Sequence, residues 1–252
     1  MPARHYFIQG GGRGLGLAFV ERLLADDERA RVITSVRDPE QASTLARLAQ
    51  EHGDERLQVV ALDLADEDSI AAARSRIGAL TARLDLMITC GGLLHDDQGM
   101  WPEKKLADVE PAHLARAFAV NASGPLLMIK HFHDLLCHGE RAVIASLSAR
   151  VGSISDNGLG GWYAYRASKA AQNQFTRTAS IELRRRSKQL ICVGLHPGTV
   201  NTGLSEPFQR NVPDKQLQSR DTAARHLLDV LSALTPEDSG QIFDWAGKTI
   251  TP

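Results

Sequence analysis

Short, nearly all-apolar runs alternate along the chain with longer stretches in which apolar residues recur every three to four positions. The runs are Tyr6–Gln9, Arg31–Val36, Leu57–Leu62, Leu84–Thr89, Arg141–Ala145, Leu190–Leu195 and Gln241–Trp245. Their lack of apolar–polar alternation is the pattern of parallel strands covered on both faces. The intervening stretches predict helices over Leu15–Ala25, Glu40–His52, Asp66–Leu80, Pro111–Cys137, Trp162–Ser187 and Arg220–Leu234. Asp66–Leu80 opens on an acidic turn, which the helix dipole favours. Repeated strand–helix alternation specifies an α/β fold: a doubly wound parallel sheet of about seven strands with helices on both faces. No repeat, low-complexity segment or linker interrupts it, so residues 1–252 are expected to form a single nucleotide-binding domain. The longest irregular stretches, 93–108 and 198–219, follow the fourth and sixth strands. Such sheets bind ligands there, at strand C-termini, so both are expected to be substrate loops.

Composition narrows the partners. A chain of 252 residues suits one α/β domain. Its net charge of -1 comes from 29 basic and 30 acidic residues scattered along the sequence. That argues against nucleic-acid and anionic-membrane partners. The one basic stretch, Arg184-Arg185-Arg186-Ser187-Lys188, reads as a solvated helix end. Cys90, Cys137 and Cys192 are odd in number and widely spaced, which argues against a disulfide framework or zinc site and fits a reducing compartment. The nine histidines have no metal-ligand spacing. No signal-peptide core or membrane-length apolar run is present, so a cytoplasmic location is expected.

The chemistry starts at Gly10-Gly11-Gly12-Arg13-Gly14-Leu15-Gly16, between the first strand and first helix. Glycines at 10, 14 and 16 allow a tight turn and let phosphate approach the backbone N–H groups of a helix start. An acidic residue ending the second strand would bond a ribose 2′-hydroxyl and repel a 2′-phosphate. Here the strand runs into Arg37, with Arg13 on the adjacent turn, and two guanidinium groups suit a 2′-phosphate. NADP(H) is therefore expected over NAD(H), although Asp38 follows directly. Farther on, Tyr165 and Lys169 stand at i and i+4 on one helix face. An ammonium beside the phenol would lower its pKa from near 10, suiting a general acid for a carbonyl oxygen and, in reverse, a base for an alcohol.

The glycine spacing, Tyr165-Arg166-Ala167-Ser168-Lys169 and the Ala-Ser-Lys-Ala context together resemble the short-chain dehydrogenase/reductase family, in register from Tyr6 to Trp245. Arg150-Val151-Gly152-Ser153-Ile154-Ser155-Asp156-Asn157 with Gly161-Trp162-Tyr163-Ala164-Tyr165-Arg166 resembles the C-factor and sniffer-like carbonyl reductases. The resemblance implies a Rossmann-type fold, a small carbonyl or alcohol substrate and a homodimer or homotetramer. It implies that Gly10, Gly12, Arg13, Gly14, Leu15 and Gly16 cradle the cofactor, that Asp63 and Leu64 meet adenine, and that Gly91 and Gly92 lie against the cofactor. It places Pro197, Gly198, Val200 and Thr202 along the nicotinamide, Lys169 on its ribose, and Asn121 as a helix-distorting residue whose water relays protons to Lys169. Residues 205–212, with Phe208 as their only large apolar group, read as a substrate lid.

Three departures from the family pattern stand out. Gln9 replaces a Thr that supports the glycine loop. Thr89-Cys90-Gly91-Gly92 replaces Asn-Asn-Ala-Gly, so cofactor binding is expected to survive with reduced rigidity. Cys90 has no base placed for it and is not read as a nucleophile. The third departure concerns the catalytic Ser at the fifth strand's end, whose position falls on Ala149. Ser148 is the expected substitute, with Ser153 and Ser146 as alternatives. A signalling or sensor protein of low turnover is the rival reading on this fold.

Overall fold

The computed structural model describes residues 3–213 and 216–252. Seven strands form one parallel sheet: β1 (Arg4–Gln9), β2 (Ala30–Val36), β3 (Leu57–Ala61), β4 (Leu86–Thr89), β5 (Ala142–Leu147), β6 (Leu190–His196) and β9 (Ile242–Asp244). Each coincides within a few residues with a predicted apolar run. The order β3-β2-β1-β4-β5-β6-β9 reverses direction between β1 and β4. Their C-terminal connections therefore leave towards opposite faces and open a crevice between them. Gln9 pairs with Thr89 and with Ser35, which puts the ends of β1, β2 and β4 on one edge.

Each face of the sheet carries its own core. Helices α1 (Gly14–Asp26), α2 (Ser43–His52) and α7 (Arg220–Ala233) cover one face, through Phe19, Leu45 and Leu227 against Ile8 and Val193. On the other, α3 (Glu67–Leu80), α5 (Gly124–Leu136) and α6 (Tyr163–Arg186) bring Ile70, Phe132 and Leu183 against Phe7 and Ile144. Successive residues Phe7 and Ile8 are both fully buried, on opposite faces. Such double burial produces strand runs without polar alternation, and each side chain of this size contributes about 1.5–3 kcal/mol.

Two elements depart from expectation. The predicted helix 111–137 is split into α4 (Pro111–Phe118), a π-helical turn (Ala119–Ser123) and α5. The 198–219 stretch contains a parallel two-stranded ladder, β7 (Thr199–Val200) with β8 (Leu217–Gln218). Two-residue strands are too short to carry a periodic signal.

Candidate active site

At the end of β1 the N–H groups of Gly10 and Gly11 both donate to the Ser35 carbonyl at 3.1 Å. Gly10 has φ +82, which an L side chain would oppose, and a Cβ on Gly16 would lie 2.2 Å from the Gly10 carbonyl oxygen. Glycine at these positions lets α1 begin directly over the turn. Helix α1 has no side-chain N-cap and no acidic residue in its first turn. The first-turn N–H groups, including those of Leu15 and Gly16, thus form a cradle that fits a phosphate. Gly12 lies against Val36, and Thr202 lies beside Gly14, so the connection after β6 folds over the loop.

Arg13 and Arg37 are exposed at the ends of this turn and of β2, and their guanidinium groups make no ion pair or hydrogen bond among the described residues. Asp38 is engaged elsewhere. Its carboxylate accepts from the Glu40 N–H at 3.0 Å and from Gln41 Nε2 at 2.6 Å, capping the turn Pro39–Gln41. Asp63 accepts from the Ala65 N–H at 2.9 Å, and Leu64 is buried beside Gly91 and Gly124.

Where β4 ends, one side-chain tie to β1 is present although both amide side chains of the family pattern are missing. Gln9, itself buried, accepts from the Gly91 N–H at 2.9 Å and joins the exits of β1 and β4. Gly92 lies next to the Asn121 amide. Asn121 holds the following residue at both ends, accepting from the Leu93 N–H at 2.7 Å and donating to the Leu93 carbonyl at 2.8 Å. It also donates to Ser168 Oγ at 3.1 Å. The π-helical turn presents Asn121 to both Leu93 and α6. Burial keeps the Cys90 thiol protonated, in agreement with an inert cysteine.

Helix α6 carries Tyr165 and Lys169 inward, both buried, with Lys169 Nζ 5.8 Å from the Tyr165 ring centre. The ammonium donates to the Leu147 carbonyl at 2.8 Å and to Gln172 Oε1 at 2.9 Å. Burial pushes the Tyr165 phenol up to about 12 and the Lys169 ammonium down to about 7. For the phenol this direction is opposite to the sequence-based expectation: loss of water outweighs an ammonium nearly 6 Å from the ring.

Among the described residues none of the three candidate serine hydroxyls is hydrogen-bonded to Tyr165. Ser148 Oγ donates to Asn173 Oδ1 at 2.6 Å, one turn beyond Lys169 on α6, and the side chain packed with Tyr165 and Leu94 is Ala149. Ser153 Oγ lies 3.3 Å from Ser155 Oγ and accepts from the Asp156 N–H. Ser146 sits within β5, beside Thr89 and Gly194. Ser148 and Ala149 both follow the last residue of β5 and have different surroundings, Asn173 for the one and Tyr165 with Leu94 for the other.

Above Tyr165 is an aromatic roof. Trp162 packs on Tyr165 (ring centres 6.2 Å) and on Phe208 (5.0 Å), while His95 stacks on Trp101 (5.4 Å) and meets Phe208 edge-on (5.8 Å). Phe208 lies on a 3-10 turn, Glu206–Asn211, within the segment read as a lid. Trp162 is the only described non-glycine residue with positive φ, at 54, and its N–H donates to the Glu103 carbonyl at 2.6 Å. The buried Glu103 carboxylate accepts from the Ala164 N–H at 3.2 Å, at the positive end of α6. His95, Trp101 and Glu103 were not singled out by sequence reasoning. The available signal was a Trp and an acidic residue inside the 93–108 stretch.

The sequence pattern of short chain dehydrogenases matches residues 4–213, and the chain belongs to that family of oxidoreductases. It is 36% identical to the C-signal protein of Myxococcus xanthus over 170 residues, 68% of this chain and 93% of that protein. An uncharacterized oxidoreductase of Schizosaccharomyces pombe is 28% identical, with 97% of this chain and 96% of the relative covered. The NADPH-bound carbonyl reductase from chicken fatty liver superposes with a TM-score of 0.87 at 31% identity, both chains fully covered. Among the described residues no helix is long and apolar enough to cross a membrane.

Proposed function

We propose that this oxidoreductase reduces a carbonyl substrate with NADP(H), with Tyr165 as the proton donor. The observation that carries this is the Tyr165–Lys169 pair, buried on one helix face beside the crevice at the β1/β4 reversal. NADP(H) would lie with its phosphates on the uncapped start of α1, Arg13 and Arg37 taking the 2′-phosphate, and Gly91, Gly92, Pro197, Gly198, Val200 and Thr202 flanking the nicotinamide end. When bound, the nicotinamide supplies the hydride.

The protein's own part is the proton. A phenol held near 12 is fully protonated at neutral pH and donates to the carbonyl oxygen as negative charge develops there. The Lys169 ammonium favours the phenolate left behind. The NADPH-bound state of the chicken relative supports the cofactor assignment. The roof of His95, Trp101, Trp162 and Phe208 favours substrates with a flat apolar substituent on the carbonyl carbon.

The test is turnover of a panel of aldehydes and ketones, followed by NADPH absorbance. Tyr165→Phe should lose about 10²–10⁴ in kcat, the usual worth of a general acid, and keep its affinity for NADPH. One observation favours the second reading, a nucleotide-binding signalling protein with little turnover: a methyl group, Ala149, stands where a second donor to the carbonyl oxygen would, and C-signal is a relative. Tight NADPH binding with no turnover of any carbonyl would select it.

A further inference from the structure

Within α6, Gln172 stands one turn beyond Lys169 and is almost completely buried. Its Oε1 accepts from Lys169 Nζ at 2.9 Å, while its Nε2 donates to the Leu147 carbonyl at 3.2 Å. That carbonyl also accepts from Lys169 Nζ at 2.8 Å. Ammonium, side-chain amide and main-chain carbonyl thus close a triangle at the exit of β5. The amide's orientation follows from its neighbours, because an ammonium only donates and a carbonyl only accepts.

The Asn121 amide makes no direct hydrogen bond to Lys169. Both its donor sites are taken, by the Leu93 carbonyl and Ser168 Oγ. Other titratable groups on the elements packed around Lys169 are paired elsewhere or held neutral by burial. Tyr165 is the titratable neighbour on α6, and Arg166 donates to the Gly161 and Val151 carbonyls. On the turn Arg150–Gly152, Arg150 pairs with Asp156. On α4, His113 and Arg116 pair with Glu110 and Asp96. On β6, the Cys192 thiol faces the Thr176 carbonyl, and burial pushes the His196 imidazole down to about 4, so it is neutral. From α5, His133 meets Arg186, and Lys130 and His131 meet Glu67. Burial is the cause that lowers the Lys169 ammonium, so a neutral acceptor is what remains to hold it charged.

We propose that Gln172 is a positioning residue for the reaction: it fixes the Lys169 ammonium at the exit of β5 and maintains its charge. This rests on Lys169 belonging to the active site. Replacing the acceptor by an apolar group in Gln172→Leu removes stabilisation of the charged form. A carboxylate in Gln172→Glu adds to it.

Lysine labelled at Cε with ¹³C reports the titration in the cofactor-free protein by NMR, the Lys169 signal being assigned by its loss in Lys169→Met. The Lys169 midpoint should fall by about one to two pH units in Gln172→Leu and rise by a similar amount in Gln172→Glu, as expected for one hydrogen bond to a charged group. The alkaline limb of the kcat–pH profile should follow in the same directions, since the ammonium is lost as pH rises through its midpoint. A packing role would scale kcat without moving the limb. Unmoved midpoints in both variants overturn the proposal. If Gln172→Leu does not fold, absence of an upward shift in Gln172→Glu overturns it alone. A protein that turns over no carbonyl removes the functional reading, while the NMR midpoints still decide the Lys169–Gln172 coupling.

Discussion

The two halves of the crevice depart from the family pattern in opposite ways. Around the exits of β1 and β4, two changes fall on facing strands and answer each other. Gln9 is long enough to cross to the Gly91 N–H and supplies one tie where the amide side chains are missing. At the exit of β5 nothing answers the change. Ala149 faces Tyr165, and the neighbouring Ser148 hydroxyl is held by Asn173. The cofactor half needs a network of ties, and any side chain of sufficient reach can supply one. On the proposed reading the substrate half needs a hydroxyl at one point in space, and the adjacent Ser148 hydroxyl is committed to Asn173 instead.

Ala149→Ser sharpens this contrast most. A hydroxyl on the Tyr165 side would add a second donor to the carbonyl oxygen, and such a donor is typically worth about 10²–10³ in rate where the geometry is ideal. An increase in kcat of about 10–10² is expected, read with the best carbonyl substrate. Unchanged or lower kcat would mean that the substrate oxygen does not pass Ala149, and the contrast would fail. Ser148→Ala is the companion measurement. Retained kcat is expected, whereas a drop of that same order would return Ser148 to the site.

The same contrast explains what was legible in the sequence. All seven strands of the main sheet could be read, because burial on both faces leaves an unbroken apolar run such as Tyr6-Phe7-Ile8. Tyr165 and Lys169 were legible because helix geometry converts i and i+4 into one face. The break at 119–123 was not readable from periodicity, since Ala-Val-Asn-Ala-Ser contains no Gly or Pro. Only the resemblance at Asn121 pointed to it. The tie between Gln9 and Gly91 spans 82 positions and depends on which strands are neighbours. The roof unites His95, Trp101, Trp162 and Phe208 from three separate segments, an arrangement no local pattern encodes. The pKa direction of Tyr165 was misread because spacing reports the ammonium and not the burial of both groups.

On the cofactor half, Arg37→Ala should produce the next largest effect. A charge-assisted bond to a phosphate contributes about 1.5–3 kcal/mol, so NADPH affinity should fall by about tenfold or more while NADH affinity stays nearly constant. Fluorescence titration with each cofactor measures this. Equal losses for both would sink the 2′-phosphate assignment. Asp38→Asn should leave the NADPH/NADH ratio nearly unchanged, because its carboxylate already caps its own turn.

Gln9→Ala tests whether the cofactor half is truly compensated. The substitution leaves the Gly91 N–H without its partner at the bottom of a crevice, a loss of about 1–3 kcal/mol. For a chain of this length each kcal/mol moves Tm by about 2–4 °C, so thermal unfolding should come several degrees earlier. NADPH affinity should weaken only a few-fold, because the phosphate cradle at α1 and Arg37 are untouched. Saturating NADPH should then recover part of the lost Tm by mass action. If Gln9→Ala unfolds at the wild-type temperature and binds NADPH equally well, the bond to Gly91 is incidental, and both halves of the crevice have lost a group without replacement.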